Sequence, residues 1–242
     1  ILINTGLADS YTTIKKNIEK LGFRYSDIKI LLTTQAHFDH LGALAAIKKE
    51  TGAQFWIDAA DAQVAKDGGS SDYELSRLGV SFAPIAPDRL LKDKDVIALG
   101  DTRLVLLHHP GHTKGSCSYL LDVKDSSRTY KVLIANIPTI ITERRFAEVK
   151  EYPSIREDYA YTLNAMKHLE FDIWVASHAS QFNLHKKHIP GDPYNPWYLQ
   201  TGKDMIRLWK MYIRYTEKSK DFLNSFAAFI HFFNTPISPA VF

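Results

Sequence analysis

Gln35-Ala36-His37-Phe38-Asp39-His40 lies between two readable segments. The run 28–33 before it reads as a strand covered on both faces, and the Ala- and Leu-rich segment 41–50 after it reads as a helix. A strand end that faces a helix start is where α/β sheets build sites. His37, Asp39 and His40 can turn toward one centre only where the backbone is irregular, and a strand-to-helix loop supplies that irregularity. Neutral imidazole and carboxylate are good zinc ligands.

Two further histidines occupy comparable places. His112 follows Pro110-Gly111 after a strand read at 103–108, and His178 follows Ser177 after a strand read at Ile173–Ala176. Histidines at the ends of three separate strands can converge on one edge of the sheets, which points to a metal centre. The other histidines read differently. His108 is expected to pack within its strand, and His168 to close a helix, where a cation is favoured. His185, His188 and His231 read as solvated, and Cys117 as a small buried core residue.

Outward from this centre, 10–21 has helical periodicity through Tyr11, Ile14, Ile18 and Leu21, with Gly22 as the stop. Residues 54–57 read as a short strand, 58–66 as helical, and Asp67-Gly68-Gly69-Ser70-Ser71 as a flexible loop. Gly100-Asp101 and Asp125-Ser126-Ser127 each read as the turn of a hairpin. Pro153-Ser154-Ile155-Arg156-Glu157 opens another helix, with Ser154 and Glu157 at the spacing of a capping box. The order βαβαβ, hairpins, then αβ predicts an α/β class of sheets sandwiched by helices.

Composition sets the outer bounds. The 242 residues are 45% hydrophobic and 24% charged, which suits one globular domain and excludes collagen-like and low-complexity classes. The 30 basic residues nearly balance 27 acidic ones, and no basic block marks a nucleic-acid face. With Cys117 as the single cysteine, no intrachain disulfide can form.

Thr33-Thr34-Gln35-Ala36-His37-Phe38-Asp39-His40-Leu41-Gly42 resembles the signature of the metallo-β-lactamase superfamily. His109-Pro110-Gly111-His112-Thr113-Lys114-Gly115-Ser116 and Ser177-His178-Ala179-Ser180-Gln181-Phe182 resemble its later metal motifs. The likeness runs from Ile1 to about Pro196 and is greatest to subclass B3, in the branch where Gln replaces the first motif histidine. It implies an αββα sandwich of the metallo-β-lactamase type, one or two Zn2+ ions, and hydrolysis of β-lactams (penicillins, cephalosporins, carbapenems) by zinc-activated water. Carried over by position, Gln35, His37 and His112 would hold the first zinc, and Asp39, His40 and His178 the second. An amide oxygen is a weaker donor than imidazole, so the first site is expected to be the looser. Asp39 would also orient the attacking water as the catalytic residue. Ser116 lacks the Ser-x-x-Lys setting of serine β-lactamases and reads as a turn residue.

The same resemblance implies a periplasmic, monomeric enzyme of antibiotic resistance, acting on a small molecule and binding neither nucleic acid nor membrane. Two alternatives stand beside it: another hydrolase of the superfamily, such as a lactonase or thioesterase, and a zinc-binding but inactive fragment. Ile137 stands where relatives such as glyoxalase II carry a metal-bridging Asp, which argues against the first, and B3 enzymes commonly have Ser there. The opening Ile1-Leu2-Ile3 reads as a buried strand entered part-way along, without a partner strand before it, so the domain, 1–196, is expected to lack N-terminal strands. Residues 197–242 read as a non-family tail. One permitted coding of Met205-Ile206-Arg207-Leu208-Trp209-Lys210-Met211 gives a polar, helix-like stretch when read in a shifted frame, which suggests a frameshift near Pro196.

Overall fold

The alternation of side chains along the central strands places one apolar set on each face of each sheet. In the computed structural model, which describes residues 1–187 and Gly191, Leu31 of strand β2 (Ile30–Leu32) faces a helix-covered cluster, while Ile30 and Leu32 face the opposite sheet. Strand β3 (Gln54–Asp58) repeats the division, with Phe55 and Ile57 on one side and Trp56 on the other. Both strands join β1 (Leu2–Ile3) and β4 (Arg89–Leu91) in a parallel sheet of order β1-β2-β3-β4.

The second sheet is built from hairpins. Strands β5 (Val96–Leu99), β6 (Thr102–His108), β7 (Cys117–Lys124) and β8 (Thr129–Ala135) run antiparallel, and β9 (Ile173–Ala176) adds a parallel edge beside β8. Leu104 and Leu106 of β6 point to the first sheet, and Leu107 joins the cluster with Met166 of helix α5 (Ile155–Lys167). Helices α1 (Tyr11–Lys20), α3 (Leu44–Thr51) and α4 (Ala62–Lys66) cover the first sheet, and α5 the second. The layers are therefore helix, sheet, sheet, helix, as the αββα reading expects. Each fully buried Leu, Ile or Phe between them contributes roughly 1.5–3 kcal/mol.

Two local expectations are corrected, and one strand is added. The helix read at 41–50 is two pieces, α2 (Phe38–Leu41) and α3, broken at Gly42-Ala43. A Cβ on Gly42 would sit 2.5 Å from the backbone nitrogen of Ala8, so the chain crosses the 6–8 turn there at glycine distance. The capping box at α5 does not form: Ser154 Oγ instead donates to Asp158 Oδ2 at 2.8 Å. Strand β4 was not foreseen. It has three residues and only Leu91 is buried, too short for a period to show. The short helix α6 (Leu184–Lys187) is the last described element. His188 and the tail 197–242, His231 included, lie outside the described residues. Among those described, no helix is long and apolar enough to cross a membrane.

His108 does more than pack in its strand. Its Nδ1 lies 2.8 Å from Oδ2 of buried Asp58, which joins β6 of one sheet to β3 of the other. The Asp58 hydrogen bond raises the pKa of His108, burial opposes it, and Asp93 and Asp158 add to the rise. A cation stabilised on folding contributes below its unfolded pKa of about 6.5, and that contribution is lost as pH rises through the higher folded value. His108→Gln is therefore expected to lose stability against wild type at about pH 5.5, with the gap closing by about pH 8.5. Urea midpoints of both proteins at the two pH values test this, and an equal gap at both would show that the ion pair contributes nothing.

Candidate metal centre

Three strand ends meet at one edge of the sandwich: after β2 come Gln35 and His37 in the loop and then Asp39 and His40 in the short helix α2, which begins one residue before Asp39 where a loop was expected; the loop after β6 carries His112, and His178 lies two residues beyond the end of β9. The six residues gather as two triads. Asp39, His40 and His178 each offer a ligand atom, all within 4.8 Å of one another. Asp39 Oδ2 lies 3.6 Å from His40 Nε2 and 3.4 Å from His178 Nε2. In the other triad the rings of His37 and His112 lie 4.9 Å apart, and the Gln35 amide nitrogen is 3.4 Å from His37 Nδ1.

Each fixed ring turns one nitrogen outward to a protein partner. His37 Nε2 is 3.1 Å from Asp72 Oδ2, His112 Nδ1 is 2.6 Å from the Thr139 carbonyl, and His40 Nδ1 is 3.3 Å from Thr34 Oγ1. A metal-ligating histidine is commonly held in this way, by a carboxylate or carbonyl on its far nitrogen. The inner nitrogen of His40, Nε2, is buried and has no hydrogen-bond partner among the described residues. Such a buried orphan is costly unless something fills it, and a divalent metal between Asp39, His40 and His178 fits the donor set.

The electrostatics suit the same guest. Burial holds the pKa of His40 down at about 3, against the pull of Asp39, and that of His112 at about 4, so both rings are neutral donors at neutral pH. Burial alone would raise the pKa of Asp39, but His40, His178 and His37 outweigh it and the carboxylate stays ionised. Access is one-sided. His40 is sealed, whereas the side chains of Asp39 and His178 are 23% and 35% exposed, so that corner opens to solvent.

Several groups that build the centre were not singled out in the sequence. Asp61 is wholly buried; its Oδ2 accepts the Ala36 N–H at 2.9 Å and the Thr113 hydroxyl at 2.6 Å, and its Oδ1 accepts the Gly115 N–H at 2.7 Å. It thus ties the His37 loop to the His112 loop. Gly115 permits this approach, since a Cβ there would stand 2.7 Å from the carboxyl carbon. Asn4, at a left-handed φ of 60°, accepts the Thr34 N–H through Oδ1 and donates through Nδ2 to Ser177, beside His178. Cys117 is buried as expected, with its thiol 3.5 Å from the Thr33 carbonyl. Ser116 takes its place in the turn by accepting the Thr113 N–H. Ile137 is buried in the apolar cluster under α5.

Comparison with known proteins gives three results. A family model described as the metallo-beta-lactamase superfamily matches residues 1–125. The crystal structure of the metallo-beta-lactamase GOB-18 from Elizabethkingia meningoseptica superposes with a TM-score of 0.85 at 54% identity, over 93% of this chain and 82% of that one. The class B3 di-zinc metallo-beta-lactamase LRA-12 from an Alaskan soil metagenome does so with a TM-score of 0.86 at 58% identity, over 92% and 83%. Among curated relatives, the acyl-coenzyme A thioesterase MBLAC2 of Gallus gallus is 31% identical over 102 residues, 36% of this chain. The chain spans 35% of that relative's length, and under two thirds of the other curated relatives it matches.

Proposed function

We propose of this chain, which belongs to the metallo-beta-lactamase superfamily, that it opens the ring of β-lactam antibiotics as a zinc-dependent hydrolase. The observation that carries the reading is likeness at 54% and 58% identity, over more than nine tenths of the chain, to two metallo-beta-lactamases. In this reading His40, His178 and Asp39 hold one zinc, and His37, His112 and Gln35 hold a second more loosely. Zinc held there supplies Lewis acidity toward a carbonyl oxygen and makes water acidic enough to ionise near neutral pH. The protein's own contribution is positional. Asp72 and the Thr139 carbonyl fix the far nitrogens of His37 and His112, so each ring faces inward in one tautomer. The partly exposed Asp39 carboxylate accepts a hydrogen bond from the attacking water and sets its direction. A monomer, acting in the periplasm in antibiotic resistance, belongs to the same reading.

A second reading has its own support. Likeness to the MBLAC2 thioesterase favours a thioester substrate, although it extends over 36% of the chain. The purified chain is expected to take up zinc, to hydrolyse nitrocefin, a penicillin and a carbapenem, to lose that turnover on chelation and to regain it with zinc. Cleavage of an acyl-CoA thioester with no β-lactam turnover would establish the second reading instead. Zinc uptake with no turnover of any of these identifies a binding-only fragment.

A further inference from the structure

The outer partners of His37 and His112 sit on two loops remote in sequence. Asp72 lies in the segment that follows α4, and Thr139 in the segment that follows β8. Asp72 is itself held by its neighbours: Oδ1 accepts the backbone N–H groups of Glu74 at 2.9 Å and Leu75 at 2.6 Å. The orientation of the carboxylate that meets His37 therefore depends on where the backbone of 73–75 lies. One residue of the other loop holds that backbone. Arg144 donates through Nη2 to the Tyr73 carbonyl at 2.8 Å and to Glu74 Oε2 at 2.9 Å, and through Nε to the same oxygen at 3.2 Å. Its Nη1 donates to Glu151 at 3.0 Å.

Both ends of this contact are sheltered. The Glu74 side chain is 9% exposed and that of Arg144 is 20% exposed, so the pair is more than a surface ion pair, which contributes little. A guanidinium is suited to the task, since its planar fork donates to a carbonyl and a carboxylate at once. Around it the Thr139 loop is held by α5. Tyr159 donates to the Thr139 carbonyl at 2.8 Å, the same oxygen that His112 meets, and stacks on Phe146 with ring centres 5.3 Å apart.

We propose that Arg144 is a positioning residue for His37, clasping the loop that carries Asp72 to the segment that follows β8. The proposal rests on the metal reading above, and deepens it by naming what aligns the first site. Arg144 touches no ligand and acts at two removes: through the backbone of 73–75 onto Asp72, and through Asp72 onto His37. Removing the clasp leaves the second triad's own supports, Asn4 and Thr34, in place.

The test uses the full chain with Arg144→Met, Glu74→Gln and the double variant. Loss of a remote supporting partner is expected to weaken the looser zinc equivalent about ten-fold, with the tighter one unchanged. The double variant should be no weaker than Arg144→Met alone. A second readout needs no metal. The His37 Nε2–H proton, sheltered by Asp72, should give a downfield imidazole NMR signal in the zinc-free protein, assigned by its loss in His37→Ala. That signal should exchange faster in Arg144→Met. An unchanged ring signal together with unchanged zinc affinities would overturn the clasp. So would equal losses at both zinc equivalents that follow the melting temperature, since they would mark Arg144 as merely structural. Wild-type protein that takes up no zinc would overturn the metal reading instead, and the ring signal would still decide the clasp.

Discussion

Asp39→Asn is expected to lower kcat/KM toward a β-lactam by about three orders of magnitude, within the range for loss of a group that handles a proton. The substitution keeps size and shape and removes the charge. Asp39 is the one carboxylate between His40 and His178, at 3.6 and 3.4 Å, and in the proposed reading it both binds metal and directs water. Two consequences should therefore appear together: slower turnover at saturating zinc and weaker uptake of the tighter zinc. Steady-state kinetics at several zinc concentrations, with metal content measured on the same samples, separates them. Turnover within a few-fold of wild type at full zinc would remove Asp39 from its proposed role.

Asp61→Ala should cost the fold more than any other substitution near the centre. It leaves the Ala36 and Gly115 N–H groups and the Thr113 hydroxyl buried without their acceptor. Each orphaned buried donor costs about 1–3 kcal/mol, partly offset because a buried carboxylate is itself expensive. A net loss of about 3 kcal/mol is expected, or about 6–12 °C in melting temperature for a chain of this size. Burial pushes the Asp61 pKa up to about 6, against the hydrogen bonds from Thr113 and Gly115, so the charge is held at a cost rather than by a cation. Zinc affinity should fall with stability, because both ligand loops hang on this residue. Thermal melting of the zinc-free protein is the measurement, and a shift under about 2 °C would show that the loops are held by something else.

The residues proposed for the centre stand out in the sequence because each obeys a local rule. Gln35 to His40 span the passage from a strand into a short helix, His112 follows Pro110-Gly111 after a strand, and His178 follows Ser177 just beyond β9. Strand and hairpin periods are local too, which is why β5 to β8 stand where alternation and turn residues place them. The helix break at Gly42 was not legible, because its cause is the turn at 6–8, more than thirty residues upstream. Ser154 and Glu157 had the right spacing for a capping box, yet Ser154 found Asp158 instead, a choice between neighbours that spacing does not decide.

What only the tertiary structure decided is which nitrogen of each histidine faces inward, and what holds it there. Asp72 meets His37 from 35 positions away, Thr139 meets His112 from 27, and Asp61 meets Thr113 from 52. An Asp in a Ser-Asp-Tyr segment or a backbone carbonyl has no periodic signature, and each gains its role only when two sheets bring distant loops within hydrogen-bonding distance, 2.6 to 3.1 Å. Ligand-bearing loops follow from local sequence because residue type and strand ends are local properties. Their alignment does not, because it is a property of contacts between segments that the chain order leaves far apart.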